Sequence, residues 1–177
     1  MDKKINDASL SFYEIGMGFG KRAPFLLSLS DGLNEELRVI ISGAILGESG
    51  EYPPDLSDMD KQTANAIHAV LKDTRPIIPD EGKQYEIVFA DYIMYQIRNE
   101  SYCSFDPDEI RHGNYLVTFE KSRLLSNLKN ITDAQVLSDG TYYPGKWTHY
   151  GIYTQNHIID VISHNAPMVS ILRKDFT

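Results

Sequence analysis

The chain has 177 residues, of which 42% are hydrophobic and 24% are charged, and its formal net charge is −8. This composition is typical of a globular protein of one domain. The acidic charge and the lack of a basic stripe argue against a nucleic-acid partner, because phosphate binding needs clustered Lys and Arg. A basic protein or peptide is the partner class that the charge favours.

Two features of the sequence predict a cytoplasmic protein. A single cysteine excludes an internal disulfide, as is usual in a reducing compartment. The stretch from Met1 to Asp7 lacks the apolar segment of a signal peptide. No apolar run approaches the roughly 20 residues of a membrane span, so no membrane partner is expected.

The first elements that the sequence predicts are two short strands, Leu10–Ile15 and Phe25–Leu29. The glycine-rich segment 16–22 joins them as a hairpin or bulge loop. A phosphate-binding loop would have to open into a helix, and this segment is not followed by a helix start. We therefore expect no nucleotide there, and no cofactor elsewhere.

A helix over Asn34–Leu46 is predicted next from its apolar spacing, with a strand as the alternative because three consecutive residues are β-branched. A second helix is predicted from an N-cap at Ser57, with Asp60 three residues on. The composition then changes, and residues 79–84 are a candidate subdomain boundary.

The second half of the chain is predicted to be β-rich. Alternating apolar and polar residues begin at Tyr85, and Ala90–Asp91 can interrupt them as a turn or bulge. Further strands are predicted at Tyr115–Phe119, His149–Tyr153, Ile158–Ile162 and Met168–Leu172. The remaining segments are a short helix over Ser122–Leu128, a polar loop over Ser104–Gly113 and a turn-rich loop over Ser138–Lys146.

Together these elements predict a single α+β domain spanning residues 1–177. Its centre is an antiparallel sheet from residues 85–172, because adjacent strands are joined by short turns. The helices are expected to pack on one face of that sheet. In the alternative organisation, residues 1–78 form a separate subdomain.

A recognition surface is predicted in the stretch from Gln84 to His164. It holds nine of the eleven tyrosines, the only tryptophan and four of the five histidines. Tyr and Trp suit such a surface because an apolar ring carries a polar tip. The predicted binding residues are Arg98, Asn99, Glu100, Tyr102, His149, Tyr150, Asn156 and His157.

The densest polar cluster, Arg98 to Tyr102, follows an otherwise apolar strand. It can project a guanidinium, an amide and a carboxylate into one site. Alternatively, Arg98 and Glu100 share one strand face and pair with each other or with a neighbouring strand. The sequence leaves both alternatives open.

Asp160 lies within a continuous apolar run that predicts a buried central strand. A buried carboxylate without a partner is costly, so Asp160 needs one. Arg98, Arg123 and Lys146 are the candidate partners, and a structural ion pair is the favoured interpretation.

Neither a catalytic cysteine nor a metal site is favoured by the spacing of residues. Cys103 would need a base such as His149 or His157, and no family-type cysteine signature surrounds it. No two His or Cys residues have the close spacing of a structural zinc site.

Three sequence segments, at residues 95–102, 121–125 and 149–163, resemble segments of a group of uncharacterised bacterial proteins. The resemblance covers the second half of the chain and implies no catalytic residues. In its small size, acidic charge and aromatic-polar composition the chain is similar to immunity proteins of polymorphic toxin systems. This similarity implies a small protein-binding domain that neutralises a bacterial toxin.

An enzyme is the alternative function. A small hydrolase or transferase would build its site from Arg98, Asn99, Glu100, Tyr102, His149 and His157. Histidine suits such a site because its pKa needs little tuning for acid–base work near neutral pH.

Overall fold

A computed structural model of the protein describes residues 4–5, 11–49, 55–72 and 74–172. In chain order, its elements are β1 (Lys4–Ile5), α1 (Phe12–Gly18), β2 (Phe25–Asp31), β3 (Glu36–Leu46), α2 (Lys61–Leu71), β4 (Ile77–Ala90), β5 (Tyr92–Asn99), a short 3-10 helix (Glu100–Tyr102), β6 (Ile110–Gly113), β7 (Leu116–Lys121), α3 (Arg123–Ile131), β8 (Gln135–Val136), β9 (Tyr142–Tyr143), β10 (Thr148–Tyr153), β11 (His157–Ser163) and β12 (Met168–Leu172). Helices and antiparallel strands make this an α+β fold, as the sequence predicts.

The strands form two five-stranded antiparallel sheets and a small β8–β9 ribbon. The first sheet has the order β1-β12-β4-β3-β2, and the second has the order β5-β11-β10-β7-β6. The prediction of one sheet over residues 85–172 is therefore wrong, because β4 and β12 pair in the first sheet with strands from the first half of the chain.

The chain passes from the first sheet to the second at a sharp corner between β4 and β5. Asp91 occupies it with φ 62°, a left-handed conformation that Asp tolerates better than most residues. The predicted interruption at Ala90–Asp91 is confirmed there. Residues 79–84, the predicted boundary, lie instead within β4, where the register with β3 shifts between Ser42 and Gly43. A bulge accommodates the extra polar residues without ending the strand.

The main core lies between the two sheets. Leu37, Val39 and Ile41 of β3 alternate and are fully buried, and Ile152 and Ile159 of the second sheet are buried in the same cluster. This period of two explains why Asn34–Leu46 is mostly strand, the alternative that its β-branched residues suggested, and not a helix.

Helix α1 packs into the same core, where the sequence predicted a strand over Leu10–Ile15. The part of that prediction from Ser11 onward is wrong, because Ser11 and Glu14 form a capping box that starts a helix. Leu10 lies outside the described residues. Residues 16–18 belong to this helix and not to the predicted hairpin or bulge loop. A Cβ on Gly16 would meet Leu116 of β7 at 3.0 Å, so the glycine lets the helix approach the second sheet closely.

A second apolar cluster lies on the other face of the second sheet. Leu128 of α3 packs there with Ala134, Trp147 and Ile162. Helices α1 and α3 thus pack in different clusters, and the expectation that the helices share one face is wrong. Helix α3 confirms the predicted helix after Ser122 and runs three residues beyond Leu128.

Helix α2 confirms a helix in the predicted region but begins later than expected. Its N-cap is Asp60, whose Oδ1 accepts hydrogen bonds from the backbone N–H groups of Gln62 and Thr63, so Ser57 lies outside the helix. No residue of α2 is buried. None of the described helices has the length and apolar content that crossing a membrane would require.

Candidate functional site

A cleft of about 760 Å³ opens on the face of the second sheet that points away from the main core. Alternation along β10 and β11 creates it, because Tyr150 and Ile159 face the core while His149 and Asp160 face outward. We call the outward-facing side chains Gln96, Arg98, Phe119, His149 and Asp160 the floor of the cleft. The segment 99–109 and helix α3 form its walls.

Asp160 organises the floor, although its own side chain is almost fully buried. Its Oδ2 accepts hydrogen bonds from Nε2 of Gln96 at 2.9 Å and from Nη2 and Nε of Arg98 at 2.8 and 3.2 Å. Its Oδ1 lies 3.2 Å from Nε2 of His149. Of the three partners that the sequence suggested, Arg98 is the one that the fold supplies.

This environment keeps Asp160 ionised. Burial alone would raise the pKa of the carboxyl, but hydrogen bonds from His149 and Gln96 and the positive charge of Arg98 outweigh it and lower the pKa. With Asp160 negative, Nε2 of His149 carries a hydrogen toward Oδ1. The negative charge of Asp160 is then compensated by the positive charge of Arg98.

Contacts with Phe119, Ser122 and Asp160 fix the ring of His149. Its ring stacks on Phe119 with centroids 4.1 Å apart, and its Nδ1 lies 2.9 Å from Oγ of Ser122. That hydroxyl also accepts the backbone N–H of Leu125, which makes Ser122 the N-cap of α3. Both ring nitrogens of His149 are therefore occupied within the protein.

Gly151 provides the space for this stack. A Cβ at this position would come within 2.9 Å of Val117 and 3.0 Å of Phe119, so those side chains would have to shift to admit it. The glycine is needed because Val117 and Phe119 of the adjacent strand β7 both approach this point on the outer face. It thereby fixes the ring of Phe119 on which His149 rests.

The rim of the cleft is more exposed than Phe119, His149 and Asp160 on the floor. We use "rim" for Glu100, Tyr102, Phe105 and Glu109, which lie on the segment that connects β5 to β6. Tyr102 retains 89% of its accessible surface and Phe105 retains 73%. Two aromatic side chains exposed to this degree at the mouth of one cleft form a candidate interaction surface.

The charge of the cleft is negative. It is lined by four carboxylates and two guanidiniums, a formal charge of −2. Asp160 pairs with Arg98, and Asp106 pairs with Arg123 on α3. Among the described residues, no ion pair involves the two rim glutamates. The excess charge therefore lies at the rim.

The structure brings five of the eight predicted binding residues to the cleft. These are Arg98, Asn99, Glu100, Tyr102 and His149. The other three do not line it. Tyr150 is buried in the main core, in edge contact with Phe12 at 5.4 Å, because it is adjacent to His149 in a strand and faces the opposite side. Asn156 and His157 lie at the β10–β11 turn, where the backbone C=O of Asn156 accepts the N–H of Glu100.

Several lining residues were missed because their segment reads as an ordinary polar loop. Phe105 and Glu109 lie in the predicted loop Ser104–Gly113, of which Ile110–Gly113 is in fact strand β6. A lone phenylalanine among polar residues was the available signal for the rim. Leu124 of α3 lines the opposite wall, and only the packing of α3 against the sheet reveals it.

The cleft contains a free cysteine but no cluster of metal ligands among the described residues. Cys103 lines the cleft, and its Sγ is 3.3 Å from the backbone oxygen of Asn99. Among the described residues, no three His, Cys, Asp or Glu side chains are placed to hold a metal ion. Every buried side-chain nitrogen and oxygen in those residues has a partner, which includes the buried polar atoms of His149 and Asp160 on the floor.

Comparison with known proteins finds no family model, no curated protein and no solved structure that matches this chain.

Proposed function

We propose that the protein is a binding domain whose cleft captures a basic segment of a partner protein. The observation that carries this proposal is the pair of exposed aromatic side chains, Tyr102 and Phe105, at the mouth of a negatively charged cleft. Buried aromatic anchors supply much of the energy of protein interfaces, and both rings remain largely exposed, although Arg111 contacts that of Phe105.

The contrast between floor and rim supports binding over catalysis. The floor consists of Asp160 and its partners, which satisfy one another, whereas Glu100 and Glu109 at the rim leave negative charge for an incoming group. A net charge of −8 over the whole chain adds to the attraction and would speed the capture of a basic partner.

An immunity protein that neutralises a basic bacterial toxin in the cytoplasm is the specific form of this proposal. If the neighbouring gene encodes such a toxin, coexpression of the two proteins should restore the growth of cells that the toxin alone arrests. A variant with Tyr102→Ala and Phe105→Ala should lose this protection. Unchanged protection by that variant would contradict a role for the cleft.

The general proposal is tested by selecting peptides from a random display library on the purified protein. We expect basic peptides to be enriched on the wild type and on Tyr13→Ala, which removes an exposed aromatic outside the cleft. Each rim truncation, Tyr102→Ala or Phe105→Ala, should weaken their binding about tenfold or more, the effect of losing an interface anchor. Enrichment of acidic peptides, or equal binding by the rim variants, would overturn the proposal.

A small hydrolase or transferase is the second candidate, because five of its six suggested residues line the same cleft. The hydrogen-bonded series Ser122, His149 and Asp160 also has the residue types of a nucleophile, a base and an orienting acid. Two observations rank it lower: Ser122 is buried as a helix cap, and neither nitrogen of His149 is free to reach a substrate.

The enzyme candidate is tested with His149→Gln, which removes the imidazole. If hydrolytic activity is found in the wild type with ester or phosphoester substrates, its loss in a His149→Gln protein of unchanged fold would favour catalysis. Activity that persists in this variant would remove His149 from any mechanism.

A further inference from the structure

The cleft also indicates which basic group it accepts. We propose that it selects an arginine side chain of the partner over a lysine. This inference rests on the proposed binding function and specifies the chemistry of the recognised group.

The first support is the surplus of carboxylate at the rim. Glu109 already accepts the backbone N–H of Arg123 with Oε1 at 3.2 Å, and Glu100 is exposed. Neither forms an ion pair within the described part of the chain. A guanidinium can give two parallel hydrogen bonds to one carboxylate, a geometry that an ammonium cannot match.

The second support is the aromatic content of the cleft, which a guanidinium exploits better than an ammonium does. A contact of this kind already occurs within the protein. The guanidinium carbon of Arg111 lies 4.6 Å from the ring centroid of Phe105 and 5.3 Å from that of Tyr153. Arg111 does not line the cleft, whereas both rings do. Tyr102, the most exposed aromatic at the rim, offers an additional ring to an incoming planar cation.

The third support is that the positive charge within the cleft does not oppose such a ligand. Arg98 is compensated by Asp160, and Arg123 by Asp106. The pair of Arg98 and Asp160 presents to the cleft a guanidinium whose Nε and Nη2 are already engaged. Arg111, in contact with Phe105, is one further positive charge beside the rim, and the two carboxylates Glu100 and Glu109 outnumber it, so an arginine at the rim still meets a negative field. An arginine is also more weakly hydrated than a lysine, so it loses less on leaving water.

The experiment uses three peptide display libraries on the full-length protein: one with arginine and no lysine, one with lysine and no arginine, and one with neither. At equal charge density, the arginine library should be retained about tenfold more than the lysine library, a difference equivalent to about 1.4 kcal/mol. Glu100→Gln and Phe105→Leu should each reduce that preference. The first keeps the shape without the charge, and the second keeps apolar volume without an aromatic face.

The outcomes separate the two proposals. Equal retention of the arginine and lysine libraries, both above the neutral one, would overturn arginine selection and leave the binding of basic segments intact. Retention no greater than that of the neutral library would overturn both proposals. An arginine preference that survives in both Glu100→Gln and Phe105→Leu would also overturn this inference, because it would place the recognition outside the rim.

Discussion

The strongest test of the floor is the replacement of Asp160 by asparagine. The change preserves shape but puts one amide nitrogen where a carboxylate oxygen now accepts hydrogen bonds from Gln96, Arg98 or His149. Two donors would then face each other in a site where Asp160 is only 1% exposed. The partners would also lose the negative charge that compensates Arg98.

The expected size of the effect follows from burial. Breaking a fully buried charge pair costs about 3–5 kcal/mol. The side chain of Arg98 is 42% exposed, so water compensates part of its loss and places the expected change near the lower end, about 3 kcal/mol. For a chain of this size, that corresponds to a fall in the thermal midpoint of roughly 6–12 °C.

The assay is urea unfolding followed by circular dichroism, with the slope of the transition checked against the wild type. Glu120→Gln is the control, because the Glu120 side chain is 69% exposed and its only ion-pair partner among the described residues is His112 at 3.4 Å. That variant should change the free energy of unfolding by less than about 0.5 kcal/mol. A loss of less than about 1 kcal/mol in Asp160→Asn would refute the view that the floor is a tightly coupled buried network.

Three further predictions concern the same region. The pKa of Asp160 in the folded protein is lowered from 3.8, so the ionised carboxylate stabilises the fold fully above that pH. This stabilisation is lost as the pH falls through the folded-state pKa. Asp160→Asn should therefore flatten the acid side of a plot of unfolding free energy against pH. Gly151→Ala should cost about 1–3 kcal/mol of unfolding free energy in urea titrations, since the added methyl group meets Phe119, and a neutral result would mean that the stack is loose. Ser122→Ala should cost about 1–3 kcal/mol in the same measurement, because it removes the cap that accepts from Leu125 and leaves Nδ1 of the buried His149 without its partner. Ser122→Thr, which keeps the hydroxyl, should lose less stability than Ser122→Ala.

The strand pairs of the second sheet could be predicted because local signals agree with the final structure. His149–Tyr153 and the apolar run Ile158–Ile162 are joined by a short turn and pair as expected in β10 and β11. The need of Asp160 for a partner was also readable, since a charge inside an apolar run must be compensated. Those inferences depend on residues that are near one another in sequence.

The division into two sheets could not be read from the sequence. It depends on the corner at Asp91, whose left-handed backbone sends β5 away from β4, and on the pairing of β12 with β4 across more than 75 residues. Local patterning specifies which residues form strands but not which distant strand each one joins. The error in predicting α1 as a strand has a local cause, because the capping box at Ser11 was overlooked.

Only the part of the site that is contiguous in sequence could be predicted. Arg98 to Tyr102 is a short polar segment that lines the cleft. Phe105 and Glu109 reach the same cleft only because their loop folds over the outer face of the second sheet. Tyr150 was predicted alongside His149 although adjacent strand residues point to opposite sides, and strict use of that alternation would have excluded one of them.

The most direct test of the binding role is a chemical-shift map of the isotope-labelled protein during titration with the best basic peptide from the display selection. The proposal predicts that the largest shifts fall on Glu100, Tyr102, Phe105 and Glu109, with Arg98 moving less because Asp160 holds it. Shifts that concentrate on a surface outside the cleft, such as helix α2, would contradict the assignment of the cleft as the binding site.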